Sequence, residues 1–146
     1  KGLVDGFLAG VVSRDLEGCI QNARSMIGLG GGLTPSGDDW LTGFFLFHNR
    51  YSRSVGASDE WVENLGARLS ALAFERTTKI SANRIAAACQ GWAEEIFIEV
   101  VDHLISNCAE LKETQLRKIV DFGHSSGVDT CMGIFSSSGV LSNRKV

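Results

Sequence analysis

The side chains best suited to chemistry are the adjacent carboxylates Asp38 and Asp39, a third carboxylate at Asp129, and His124. Each stands beside glycines and small hydroxyl residues. The first pair closes the run Gly28-Leu29-Gly30-Gly31-Gly32-Leu33-Thr34-Pro35-Ser36-Gly37-Asp38-Asp39. Five of the ten residues from Gly28 to Gly37 are glycine, so this backbone can reach positive φ and approach a ligand closely. Pro35 suits the entry to a helix, and Ser36 and Asp39 have the spacing of a capping box. A loop of this kind feeding a helix N-terminus offers free N–H groups and the positive end of the helix dipole to an anion. Gly30, Gly31, Gly32 and Gly37, with the hydroxyls of Thr34 and Ser36, are the candidate anion-binding residues. The plain alternative is a well-capped helix after a flexible turn. One cap needs only one acid, however. A doubled acid beside an anion points to a cation, Mg²⁺, held by Asp38, Asp39 and Asp129.

A second stretch repeats the first. Ser36-Gly37-x-Asp39-x-x-x-Gly43 aligns without a gap with Ser126-Gly127-x-Asp129-x-x-x-Gly133, every matched residue 90 positions apart. Both copies cap a helix with serine, place an aspartate in its first turn and a glycine one turn later. Glycine inside a helix costs ~1 kcal/mol relative to alanine. Two glycines at the same register therefore mark helices that something approaches closely. The second loop adds Ser125, Ser126 and Gly127 as anion-binding candidates, with His124 beside them as a proton carrier. His124, Asp39 and Asp129 form the candidate catalytic set, and the two helix N-termini are expected to face one shared cleft.

Helices must carry these loops. Leu3, Val4, Phe7, Leu8 and Val11 recur at helical spacing, as do Leu16, Cys19, Ile20, Ala23, Met26 and Ile27, with Ser13 as the N-cap of the second group. The helix from Ser36 to about Tyr51 is apolar on most sides, which makes it central. After a polar turn at Ser52 to Ala57, Asp59 to about Arg76 is amphipathic. Ser81 is placed to cap the longest helix, Ala82 to about Ser106. Glu110 to Phe122 and Gly127 to about Leu141 complete the set. No stretch alternates apolar and polar residues for long, so the reading is all-α: one compact bundle of about six to seven helices, with two glycine-rich loops at helix N-termini.

Composition removes several functions. A net charge of −3 and a pI near 5.6, with no basic run, argue against a nucleic-acid surface. No apolar run approaches the ~20 residues that span a bilayer. Cys19, Cys89, Cys108 and Cys131 show no C-x-x-C spacing and read as reduced, mostly buried thiols of a cytoplasmic protein. Gly32 and Gly37 have the glycine spacing of a Walker loop, but Asp38-Asp39 follow where Lys and Ser/Thr are required. The dinucleotide pattern from Gly28 fails at Leu33. His48 and His103 lie in helical stretches and read as structural.

The stretches 28–39 and 123–129, together with Thr77-Thr78-Lys79-Ile80-Ser81 and Ala86-Ala87-Ala88-x-x-Gly91, resemble a domain family that includes AllH, associated with the oxamate carbamoyltransferase of allantoin breakdown. The likeness covers roughly Gly28 to Phe135 and is to the C-terminal part of longer members. It implies that residues 1–146 form one α-helical domain of a longer protein. It also implies a subunit acting on a carbamoyl- or phosphate-bearing small anion, working with partner subunits or as a homo-oligomer. The alternative from another class is a non-catalytic subunit whose loops hold a metabolite or a partner's loop.

Overall fold

The computed structural model describes residues 2–106 and 111–143. Among them lie eight helices and no strand: α1 (Leu3–Ser13), α2 (Leu16–Met26), α3 (Ser36–Ser54), α4 (Glu60–Arg76), α5 (Lys79–Ala88), α6 (Glu95–Ser106), α7 (Glu113–Val120) and α8 (Ser126–Asn143). The all-α reading holds. Cys108 and the expected helix start at Glu110 lie outside the described residues.

α3 is central: its first half is buried on every side, carboxylates included. Every residue from Gly37 to His48 is buried. Phe44 sits at the middle of a ring cluster, stacked on Trp40 at 5.5 Å and meeting Phe7 of α1 edge-on at 5.2 Å. α8 crosses α3 through reciprocal glycine contacts. A Cβ on Gly43 would fall 1.9 Å from the Thr130 carbonyl oxygen, and one on Gly133 would fall 2.0 Å from that of Trp40. Thr130 and Trp40 are themselves 90 residues apart, so the two helices meet as copies related by a pseudo-two-fold.

The repeat extends further back than the matched motifs. The Leu29 N–H bonds the Met26 carbonyl at the end of α2, and the Phe122 N–H bonds the Ile119 carbonyl near the end of α7. The Gly37 N–H then returns to Leu29, and the Gly127 N–H to Phe122, each at 3.0 Å. A Cβ on Gly37 would strike the Met26 carbonyl oxygen at 2.0 Å, and one on Gly127 that of Ile119 at 1.7 Å. Helix, loop and helix therefore repeat as a unit, α2–α3 and α7–α8.

Four helix ends differ from the sequence reading. Asp15, not Ser13, caps α2 by accepting the Gly18 N–H at 3.0 Å, while the Ser13 hydroxyl donates back to Ala9. Pro35 holds the cap position of α3, with its carbonyl accepting from Asp38 and Asp39; Ser36 is already helical. Thr78 caps the next helix by accepting the Ser81 N–H at 3.1 Å, which places Ser81 inside α5. The long helix is in fact two. α5 ends at Ala88, and just beyond it Gly91, with φ of +81°, lets the Gly91 and Trp92 N–H groups fold back onto the Ala88 and Ala87 carbonyls.

Candidate functional site

Asp38 and Asp39 follow Pro35 in the first turn of α3, and helix geometry sends their side chains in different directions. Asp38 is buried with both oxygens engaged: one accepts the Gly28 N–H at 2.8 Å, the other the Thr77 hydroxyl at 2.5 Å. The neighbouring Thr78 hydroxyl donates to the Leu33 carbonyl at 2.6 Å. Asp38 thus braces the first loop against the α4–α5 corner.

Asp39 is fully buried and pairs through one oxygen with the Arg84 guanidinium of α5. Its other oxygen, Oδ2, makes no hydrogen bond of ordinary geometry in the protein, although the Ser126 hydroxyl lies close enough to favour the ionised carboxylate. Burial pushes the Asp39 carboxyl above its usual range. The Ser126 hydroxyl and Arg84 act against this, and the charge of Asp129 adds to it. Arg84 is held by Glu94 as well, at 2.8 Å, and lies over the Phe122 ring at 5.9 Å. Burial opposes its charge, but the two carboxylates outweigh that and keep it protonated. On the outer side of Arg84 an open depression is lined by Thr42, Ala87, Trp92 and Glu94.

The two loops meet at hydroxyls. Thr34 Oγ1 and Ser126 Oγ are 2.7 Å apart. The structure therefore brings together Thr34, Ser126, Asp39 and, through its charge, Asp129. Oδ2 of Asp129, Oγ1 of Thr130 beside it and Oγ of Ser81, one turn before Arg84, are also buried and without a protein partner. Atoms like these take donors or acceptors from a bound molecule or an ordered water.

The other candidates fall elsewhere. Gly30, with φ +126°, makes the turn before Ser36, where a Cβ would meet the Ser36 nitrogen at 2.7 Å. Gly31 and Gly32 form the exposed loop tip, with open space where a Cβ would stand. Gly37 and Gly127 are buried packing glycines. Ser36 is half-buried, and His124 and Ser125 are exposed on the second loop. Among the described residues no group of three His, Cys, Asp or Glu side chains is arranged as a metal site. Cys131 offers no ready thiolate either, since burial pushes its pKa up to about 11.

Neither glycine-rich motif contains Arg84 or Glu94. A buried aspartate in an apolar helix requires a cation, and Arg84 lies in the helix that follows the Thr77-Thr78 corner; that requirement was the available signal.

Residues 26–138 match the model of a family described as oxamate carbamoyltransferase subunit AllH. The match begins at the last residue of α2 and includes both loops, Arg84 and most of α8. No solved structure matches the chain. No helix among the described residues is long and apolar enough to cross a membrane.

Proposed function

The chain belongs to the AllH family of oxamate carbamoyltransferase subunits, and from that premise we propose that a small anion carrying a carbamoyl group binds at the buried Asp39–Arg84 pair. The observation that carries this reading is Asp39 Oδ2, a fully buried carboxylate oxygen with no hydrogen bond of ordinary geometry, beside a guanidinium. A carbamoyl group has two N–H donors and one carbonyl acceptor. The open oxygen of Asp39 matches one of the donors. Arg84 and the N-terminal ends of α3 and α8 match an anionic carboxylate or phosphate on the same molecule.

Thr34 and Ser126 tie the two loops together and hold them in place around the bound molecule. Asp39, whose burial raises its proton affinity, is the group placed to exchange a proton with the bound amide. The non-catalytic alternative uses the same contacts for binding alone.

Calorimetric titration with carbamoyl phosphate and with oxamate tests this, for the chain alone and mixed with the enzyme's other subunits. Arg84→Lys keeps a cation but loses the two-sided fork, so binding is expected to weaken by about tenfold or more with the helical circular dichroism unchanged. Ser126→Ala is a second variant with the same expected direction. Equal affinity in wild type and both variants, or no binding of either compound in any mixture, overturns the proposal.

A further inference from the structure

The pseudo-two-fold exposes a mismatch between its halves. The positions of α8 that correspond to Asp38, Thr42 and Phe45 of α3 are Val128, Met132 and Phe135. On α3 these residues are 1%, 1% and 0% exposed; on α8 they are 47%, 55% and 49% exposed. The difference has a visible cause. α4 and α5 cover α3 along this stripe: Thr77 bonds Asp38, Gly66 of α4 lies against the Phe45 ring, and Arg84 of α5 pairs with Asp39. Nothing among the described residues covers α8 in the same way.

We infer that the Val128–Met132–Phe135 face of α8 is a docking surface for a partner subunit, which lays an apolar helix on it and brings a cation to Asp129, as α4 and α5 do for α3. Three further features fit a covered helix. α8 has 18 residues and a single charged side chain, Asp129. Asp129 occupies the register of Asp39, and its Oδ2 is likewise buried without a partner, yet among the described residues no cation pairs with Asp129 as Arg84 does with Asp39 Oδ1. The hydroxyls of Ser136 and Ser142 fold back onto the Met132 and Ser138 carbonyls, which satisfies them without solvent. The spacing i, i+4, i+7 makes one continuous stripe, the pattern a helix in a groove reads. A second copy of this chain meeting stripe to stripe brings no cation, because the only charge on α8 is Asp129.

The test mixes the full chain with the other subunits of the carbamoyltransferase, each purified, and measures affinity by calorimetry and size by sedimentation. Wild type is expected to bind one of them. Met132→Lys and Phe135→Lys, both at exposed positions, are expected to weaken that binding by about tenfold or more while the circular dichroism stays unchanged. Asp129→Asn is expected to weaken it less and to flatten its dependence on salt. Val12→Lys, at an exposed position on α1, serves as the control and is expected to bind as wild type does. Three results overturn the inference: unchanged binding by Met132→Lys and Phe135→Lys, no binding of any subunit by wild type, or a wild-type homodimer that Met132→Lys splits into monomers. The readout is separate from metabolite binding, so either proposal can fail alone.

Discussion

The Asp38 carboxylate accepts the Gly28 N–H on one oxygen and the Thr77 hydroxyl on the other, in a setting closed to solvent. Removing it strands two donors, and a buried donor left unsatisfied costs about 1–3 kcal/mol. Asp38→Ala is therefore expected to lose roughly 2–5 kcal/mol of stability in urea unfolding. Asp38→Asn is expected to lose much less, because its carbonyl keeps the Gly28 N–H while the Thr77 hydroxyl turns to accept from the new NH₂. A double-mutant cycle with Thr77→Val isolates the hydroxyl bond. A coupling energy near zero would show that the brace does not act through Thr77. Asp39, one residue on, differs only in environment: it faces Arg84 and keeps an oxygen open. Two identical side chains thus divide into a carboxylate with both oxygens engaged and one with an oxygen left open, a division that their adjacency in sequence conceals.

At the crossing of α3 and α8, each helix presents a glycine to a backbone carbonyl of the other. A methyl group there meets main chain, which cannot turn aside as a side chain can. Gly43→Ala and Gly133→Ala are each expected to cost about 1–3 kcal/mol or more by forcing the helices apart. Gly139→Ala faces open space and is expected to gain up to ~1 kcal/mol from helix propensity. Denaturation midpoints of the three variants check this, and neutral Gly43→Ala and Gly133→Ala would refute the close crossing. This close approach was legible in the sequence, because glycine weakens a helix and recurs at one register in two helices where their main chains must touch. The equivalence of α2 and α7 was not legible. Leu29 to Gly37 spans three residues more than Phe122 to Gly127, and that difference breaks any ungapped match. The division between α5 and α6 was hidden because Cys89, Trp92 and Ile96 keep a helical spacing across it, although Gly91 followed by Trp92 was an available stop signal. Ser81 looked like a cap because a hydroxyl there fits the rule, but Thr78 fits it three residues earlier and the chain turns at that point. Arg84 escaped the motifs because its role depends on three helices converging, which no local pattern encodes.

Across the whole molecule, two aspartates respond to acid in opposite senses. Burial raises the Asp39 pKa more than Ser126 and Arg84 lower it, so the folded protein keeps that proton over a range where the unfolded chain has lost it. Its effect is to lower stability as pH climbs from the ordinary carboxylate range to the raised folded value. Asp59 is also pushed upward by burial, but Arg14, bonded to it at 2.7 and 3.0 Å, the Val62 N–H and the charge of His48 bring it below its usual value. Its contribution is complete above the ordinary carboxylate range and is lost as pH falls through the lowered folded value. Asp59 joins the α1–α2 corner to the start of α4, with His48 of α3 at 3.6 Å, so acid loosens the end of α3 far from the Asp39–Arg84 pair. Urea midpoints from about pH 3 to pH 7 separate the two contributions, since that interval brackets the carboxylate range. Asp59→Asn is expected to flatten the loss on the acid side and to cost about 1 kcal/mol near neutrality, as the N-cap of α4 and the Arg14 pair weaken. Asp39→Asn is expected to flatten the decline on the neutral side instead, leaving the acid limb as in wild type. A wild-type profile whose two limbs survive both substitutions would show that neither aspartate governs the pH response.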